Sequence, residues 1–255
     1  MENDSRKRGF GALIIGDEIL RGKRKDKHFD KLIALLGNRG IDLNWSMYIP
    51  DDPVFIKTVL SSTMNRNDIV FSFGGIGATP DDHTRQSAAE AVGVPLELHP
   101  DAKMEIEEIF GEDAYPKRIL MGFFPRGCSI IPNPFNRIPG FSIGTHHFLP
   151  GFPVMAWPMV EWLLDNKYLD QHFLSKYETR SIIVRDAGES QLIDLMNEFE
   201  NLYPGYKIFS LPTLKESGRR IELGFRGSQK EAENAIEFLK KGVDQLGFKW
   251  ESFKG

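Results

Sequence analysis

Apolar and polar positions divide the chain into two regimes. In the first, short apolar runs alternate with stretches of helical spacing. Gly9 to Gly16 and Ile69 to Phe73 are nearly continuous apolar runs, the pattern of strands buried on both faces. Ile41 to Ile49 is mixed, with Trp45 and Tyr48, and is expected to be a further strand. Between these runs, Phe29 to Asn38 places Phe29, Leu32, Ile33, Leu35 and Leu36 on one helical face, and Gly37 to Gly40 stops it. Pro50 to Pro53 makes a turn and cap, and Val54 to Met64 is amphipathic. Arg85 to Val92 continues as helix, with Ala88, Ala89 and Val92 on one side. The order β-α-β-α-β-α predicts a parallel sheet with right-handed crossovers, an α/β fold.

The pattern then loosens. Pro100 to Phe110 is a helix with an acidic face, and Cys128 to Ile131 is a short strand. Asn133 to Phe141 is turn-rich and has the chemistry of a functional loop. His146 to Leu149 is a strand, followed by a helix whose Trp157, Met159, Trp162 and Leu163 are assigned to the core. Leu169 to Thr179 turns polar and reads as a linker, which places domain limits at 1–172 and 173–255. The second regime is a small α+β module, β-α-β-β-α. Its strands are Thr179 to Val184, Tyr206 to Leu211 and Arg220 to Phe225, with a hairpin turn at Glu216 to Arg219. Its helices are Glu189 to Leu202 and one opened by a capping box at Ser228 to Glu231 and running to Leu246.

Candidate chemistry concentrates where strands end. The Ile69 strand breaks into Gly74-Gly75-Ile76-Gly77-Ala78-Thr79-Pro80 and then Asp81-Asp82-His83-Thr84 at a helix start. Glycines let backbone N–H groups approach a phosphate, and the helix dipole adds positive potential. Asp81 and Asp82 would repel a bare anion, and a divalent cation removes that conflict. A phosphorylated ligand held with magnesium is therefore expected. The loop is neither a Walker loop nor a dinucleotide fingerprint, and a tight turn with Asp81 or Asp82 as helix N-cap is the alternative. Asp17 and Asp51/Asp52 also follow strands, where open α/β sheets bind ligands. Glu18 is assigned to a capped turn. The basic run Lys23 to His28 is expected at the pocket rim, where cations meet phosphates.

Composition narrows the field. With 255 residues, 41% hydrophobic and 27% charged, the chain is an ordinary globular protein. A net charge of −4 gives no global pull toward nucleic acid or anionic membrane, and the second module has no Gly-x-x-Gly clamp, so nucleic acid is not the expected partner. The single cysteine, Cys128, is expected to be a buried apolar residue in a reducing cytoplasm. No apolar run approaches a membrane span, and the polar start, Met1 to Arg8, does not suit a signal peptide. His146 and His147 lie on opposite faces of an extended segment and cannot both ligate one metal.

Several motifs in order now carry a resemblance: Gly16-Asp17-Glu18-Ile19-Leu20-x-Gly22, Asp51-Asp52, Gly74 to Thr84, Asn133-Pro134, Pro139-Gly140-Phe141 and Leu149-Pro150-Gly151-Phe152-Pro153. Over essentially its whole length the chain resembles the molybdopterin-binding (MoaB/Mog-like) domain family, and within it the N-terminal region of CinA-type, competence-damage-inducible proteins. That resemblance implies a three-layer α/β/α domain with a mainly parallel sheet and a pocket for molybdopterin or an adenine nucleotide. It implies catalytic roles for Asp51 and Asp82, a metal on Asp81 and Asp82, and ligand contacts from Gly16, Asp17, Gly74, Gly75, Gly77, Thr79, Thr84, Pro150 and Gly151. The implied chemistry is adenylyl transfer in molybdenum cofactor biosynthesis or metal-dependent hydrolysis of ADP-ribose, with a non-catalytic binder as the further alternative. A homo-oligomer, dimer or trimer, is implied, and a nicotinamide-mononucleotide deamidase domain is not expected within 255 residues. The chain departs from the family pattern at Ala78, at Lys25 to His28, at Asn136-Arg137-Ile138 in place of Gly-Thr-Ala, and at Val154-Met155, where an acid is usual.

Overall fold

A computed structural model describes residues 8–174, 177–215 and 218–253. The chain divides into two compact units, the first ending at Leu174. In chain order the first unit holds β1 (Phe10–Ile15), α1 (Asp17–Leu20), α2 (His28–Gly37), β2 (Trp45–Ile49), α3 (Pro53–Met64), β3 (Ile69–Phe73) and α4 (Thr84–Val92). It continues with β4 (Leu96–Leu98), α5 (Pro100–Phe110), β5 (Phe123–Pro125), β6 (Ser129–Ile131), β7 (Gly140–Ile143), β8 (His146–Leu149) and α6 (Pro153–Lys167).

Six strands form one sheet in the order β2-β1-β3-β8-β7-β6. β1 pairs in parallel with β2 and β3, and β3 pairs in parallel with β8. Only β7 runs against the others, pairing antiparallel with β8 and with the edge strand β6. β1 and β3 are buried at every position, as their nearly continuous apolar runs require, with Ser72 the one polar residue in the two strands. Alternate residues feed two cores. Phe10, Ala12 and Ile14 pack with Leu32 and Leu36 of α2 and Met159, Val160 and Leu163 of α6. Leu13 and Ile15 pack with Ile56 and Leu60 of α3 and Ala88 of α4. The sheet is thus covered on both faces, a three-layer α/β/α arrangement with a mainly parallel sheet.

Some boundaries differ from the sequence expectation. The second strand begins at Trp45 rather than Ile41; just ahead of it Asn44 is tied to Phe10 by its N–H, which donates to the Phe10 carbonyl, and by its side-chain oxygen, which accepts from the Phe10 N–H. β7 occupies the end of the stretch assigned to an irregular loop. The four-residue α1 replaces a simple turn after β1.

The second unit is a four-stranded antiparallel sheet. β9 (Tyr177–Arg185), α7 (Ile193–Leu202), β10 (Lys207–Lys215), β11 (Gly218–Ser228), α8 (Ala232–Gln245) and β12 (Trp250–Ser252) follow in order. The strand order is β10-β11-β9-β12. β12 adds a sixth element, a fourth strand, to the expected β-α-β-β-α. Ile182, Val184, Leu223 and Phe225 pack against Phe199 of α7 and Leu239 of α8. The expected helix starts at Glu189 and Ser228 are each a single 3-10 turn ahead of the α-helix. Glu216 and Ser217 of the expected hairpin turn lie outside the described residues.

Candidate functional site

Because β1, β2, β3 and β8 are parallel, their carboxyl ends reach one end of the sheet. Gly16-Asp17, Asp51, Gly74 to Gly77 and Pro150-Gly151 are therefore brought together from four separate segments. The connection leaving β1 goes toward β2, while β3 lies on the other side of β1, so a crevice opens between β1 and β3.

The glycine turn is fixed by close approaches. Gly74 has φ 104°, and a Cβ there would lie 2.4 Å from the Ile15 carbonyl oxygen. Gly75 has φ 68°, and a Cβ there would strike the Thr84 hydroxyl. Both positions demand glycine. Thr84 is buried, and its hydroxyl donates to the Gly74 carbonyl at 3.0 Å while its N–H donates to Gly75 at 3.0 Å. Its side chain thus braces the turn from behind.

Asp82 closes the loop. Its Oδ2 accepts from the Thr79 N–H at 2.8 Å and from the Thr79 hydroxyl. The alternative of Asp81 or Asp82 as helix cap is not met, since α4 is preceded by His83, which makes no side-chain cap bond. Asp81 is exposed. Asp17 and Asp51 clasp each other. Asp51 Oδ2 accepts from the Asp17 N–H at 2.8 Å, and Asp17 Oδ1 accepts from the Asp51 N–H at 3.4 Å. Burial holds the Asp51 carboxyl above its usual range, against the Asp17 N–H, and the charges of Glu18, Asp17 and Asp81 push the same way as burial. Acids from the ends of three strands therefore share one neighbourhood. Asp17 also pairs with Arg21 at 2.6 Å.

Beside the turn lies a cavity of about 420 Å3. Gly75, Gly77, Thr79, Asp82, Pro150 and Gly151 line it, as do the apolar Met121, Phe152 and Met155. Among the described residues no acceptor takes the N–H groups of Gly75, Ile76, Gly77 or Ala78, which border this cavity. Gly16, Asp17, Asp51 and Asp81 belong to the adjoining acidic group rather than to the cavity wall, and Gly74 and Thr84 support the turn.

Three further residues take part in the site, and the sequence marks none of them individually as a ligand or catalytic residue. Arg85 is 4% exposed, and its guanidinium donates to the carbonyls of Gly77 at 2.6 Å, Phe123 at 3.1 Å and Leu120. Burial lowers its pKa, and Asp82 acts in the opposite direction. His28, the last residue of the basic run expected at the pocket rim, is not an exposed cation there, since burial lowers its pKa. It is buried, stacks on Phe73 at 4.4 Å, and its Nε2 lies 3.1 Å from the Gly151 carbonyl. Asp26 fixes it there by accepting the His28 and Phe29 N–H groups. Asn136 lines the cavity. The first two are legible only once tertiary partners are known, since helical Arg and His are ordinary surface residues in sequence.

The other candidates resolve simply. His146 bonds Thr63, and His147 bridges Ser142 and Tyr168, on opposite faces of β8. The Cys128 thiol is half-buried rather than fully buried as expected, and burial pushes it up to about 11, which disfavours the thiolate. Among the described residues no three His, Cys, Asp or Glu side chains are grouped to hold a metal by themselves.

Residues 11–170 match the family described as a probable molybdopterin binding domain. The chain belongs to that molybdopterin-binding family. Membership of that family implies a small-molecule ligand. This molybdopterin-binding domain is 36% identical over 160 residues to a CinA-like protein of Anaeromyxobacter sp., covering 60% of this chain and 39% of that one. A putative competence-damage inducible protein of Thermoanaerobacter sp. is 30% identical over 197 residues, covering 73% of this chain and 47% of that one. The chain thus spans less than half the length of these relatives. The crystal structure of the protein CinA from Thermoplasma acidophilum superposes with a TM-score of 0.58 at 26% identity, covering 64% of this chain and 99% of that one. No helix among the described residues is long and apolar enough to cross a membrane.

Proposed function

We propose that the first unit binds a phosphorylated pterin of the molybdopterin type, or an adenine nucleotide, with its phosphate on the Gly75–Thr79 turn and its ring in the apolar part of the cavity. The observation that carries this is the run of unpaired N–H groups from Gly75 to Ala78 bordering a cavity with apolar walls. Asp82 uses one oxygen on Thr79 and has the other left for a cation. Magnesium characteristically takes one or two carboxylates and completes its shell with substrate phosphates and water, so the absence of a three-acid cluster among the described residues fits that ion. Asp82, with Asp81 beside it, would hold the metal, which would neutralise phosphate charge.

Turnover is a second reading, favoured by the raised carboxyl of Asp51, which is tied to Asp17 at the carboxyl end of β1. Asp51 would take a proton while Asp82 holds the metal, whether a ligand phosphate attacks in adenylyl transfer or water attacks in ADP-ribose hydrolysis. The test is a thermal-shift panel of a molybdopterin analogue, AMP, ADP-ribose and FAD, each with and without magnesium. A ligand at one hundred times its Kd stabilises by about 2.7 kcal/mol. A magnesium-dependent shift with one of the four supports the reading, and no shift with any of them overturns it. Binding without product release identifies a non-catalytic binder. A dimer or trimer belongs to the same proposal and is checked by light scattering.

A further inference from the structure

The loop after β6 holds a carboxamide in a fixed orientation at the cavity. Asn136 Oδ1 accepts from the Ile138 N–H at 3.1 Å and from Asn133 Nδ2 at 2.7 Å. A backbone N–H can only donate, so the atom facing it must be the oxygen. Asn133 is itself buried and pinned, with its own oxygen accepting from the Phe135 N–H at 3.0 Å and its amide donating to the Ile138 carbonyl at 3.0 Å. Asn136 Nδ2 is therefore the free end. Its protein acceptor among the described residues is the Met155 thioether at 3.7 Å, a weak partner.

The loop is held in place from outside. Arg137 sits in the left-handed region at φ 63°, a costly conformation for a non-glycine residue. Its guanidinium reaches Glu105 at 2.7 Å and Glu108 at 2.5 Å on α5.

We propose that Asn136 is a specificity-determining residue, donating a hydrogen bond from Nδ2 to an acceptor, a ring nitrogen or carbonyl oxygen, on the edge of a flat heteroaromatic ring held between the apolar walls of the cavity. This rests on the reading that the cavity takes a ring-bearing phosphate. Met121, Phe152 and Met155 supply polarisable and aromatic contact for a ring, and the glycine turn receives the phosphate end. Asn136 is half-buried, so a ring in the cavity would cover the donor, and a covered donor disfavours a ligand that leaves it unpaired.

Asn136→Asp tests this. The substitution keeps an oxygen for the Ile138 N–H and Asn133 Nδ2 and replaces the donor by an acceptor. Affinities for 6-hydroxymethylpterin diphosphate, ADP and inorganic pyrophosphate are measured with magnesium by calorimetry. The expected result is a loss of about tenfold or more for whichever ring-bearing probe binds the wild type, with pyrophosphate binding changed far less. Equal loss for all probes means that only the new charge matters, and no loss means that Asn136 reads nothing. Either result overturns the proposal. A wild type that binds none of the three probes overturns the underlying reading instead. Asn136→Gly, which empties the slot without adding charge, should narrow the preference between the two ring probes, and an unchanged preference also overturns the proposal.

Discussion

Asp82 presents one oxygen to Thr79 and keeps the other free, and this division makes Asp82→Asn informative. An amide oxygen can still accept from Thr79, so the loop should persist and stability should change by less than about 1 kcal/mol. The charge is gone, so the magnesium-dependent part of the ligand-induced thermal shift should vanish. A retained magnesium effect in that variant removes Asp82 from the metal site. Arg85 offers the opposite contrast. Arg85→Met leaves the carbonyls of Gly77 and Phe123 without their donor, and a loss of about 2–3 kcal/mol in urea unfolding is expected. Triple replacement of the exposed Lys23, Arg24 and Lys25 by alanine should weaken phosphate-ligand binding and leave the melting curve in place, and unchanged affinity would make the run a solvated surface.

At the level of elements, the buried histidines of β8 set a pH dependence. Burial lowers His146 to about 4 and His147 to about 3, and the nearby positive charge of Lys167 also lowers His147. The unfolded chain binds those protons near 6.5, so below that pH it takes up more protons than the folded chain. Stability is fully present above about 6.5 and falls as pH drops toward 4 and 3, by about 1.4 kcal/mol per pH unit for each histidine. Urea midpoints at pH 7.5 and pH 5 should differ in the wild type, and the difference should shrink in His146→Gln. The sequence showed the elements whose physics is local. The runs of β1 and β3 and the glycines between β3 and α4 are dictated by burial and by φ. β4 and β12, three residues each, are too short to display a period, and neither was expected. The alternative of an Asp81 or Asp82 cap on α4 fails because Asp82 satisfies Thr79, three positions back, instead of the helix. Asn136 stood inside a loop marked for function, but its donor direction depends on Asn133 and Ile138.

On the scale of the whole molecule, the second unit has its own core around Phe199, Phe225 and Leu239. We expect a fragment of residues 175–255 to unfold cooperatively on its own by circular dichroism, and a non-cooperative melt would deny it domain status.

The pairing of β3 with β8 has a consequence in time. Phe73 and Leu149 are neighbours in the sheet yet about 75 residues apart in the chain. Gly74 and Gly151, which that pairing brings into contact, therefore cannot meet until a long segment has been threaded and closed. Such distant contacts form slowly and late. A nascent or partly collapsed chain has no cavity to offer, so ligand cannot hasten refolding. Once the strands have zipped, bound ligand has to depart before they part. In stopped-flow measurements ligand should slow the unfolding limb and leave the refolding limb where it was.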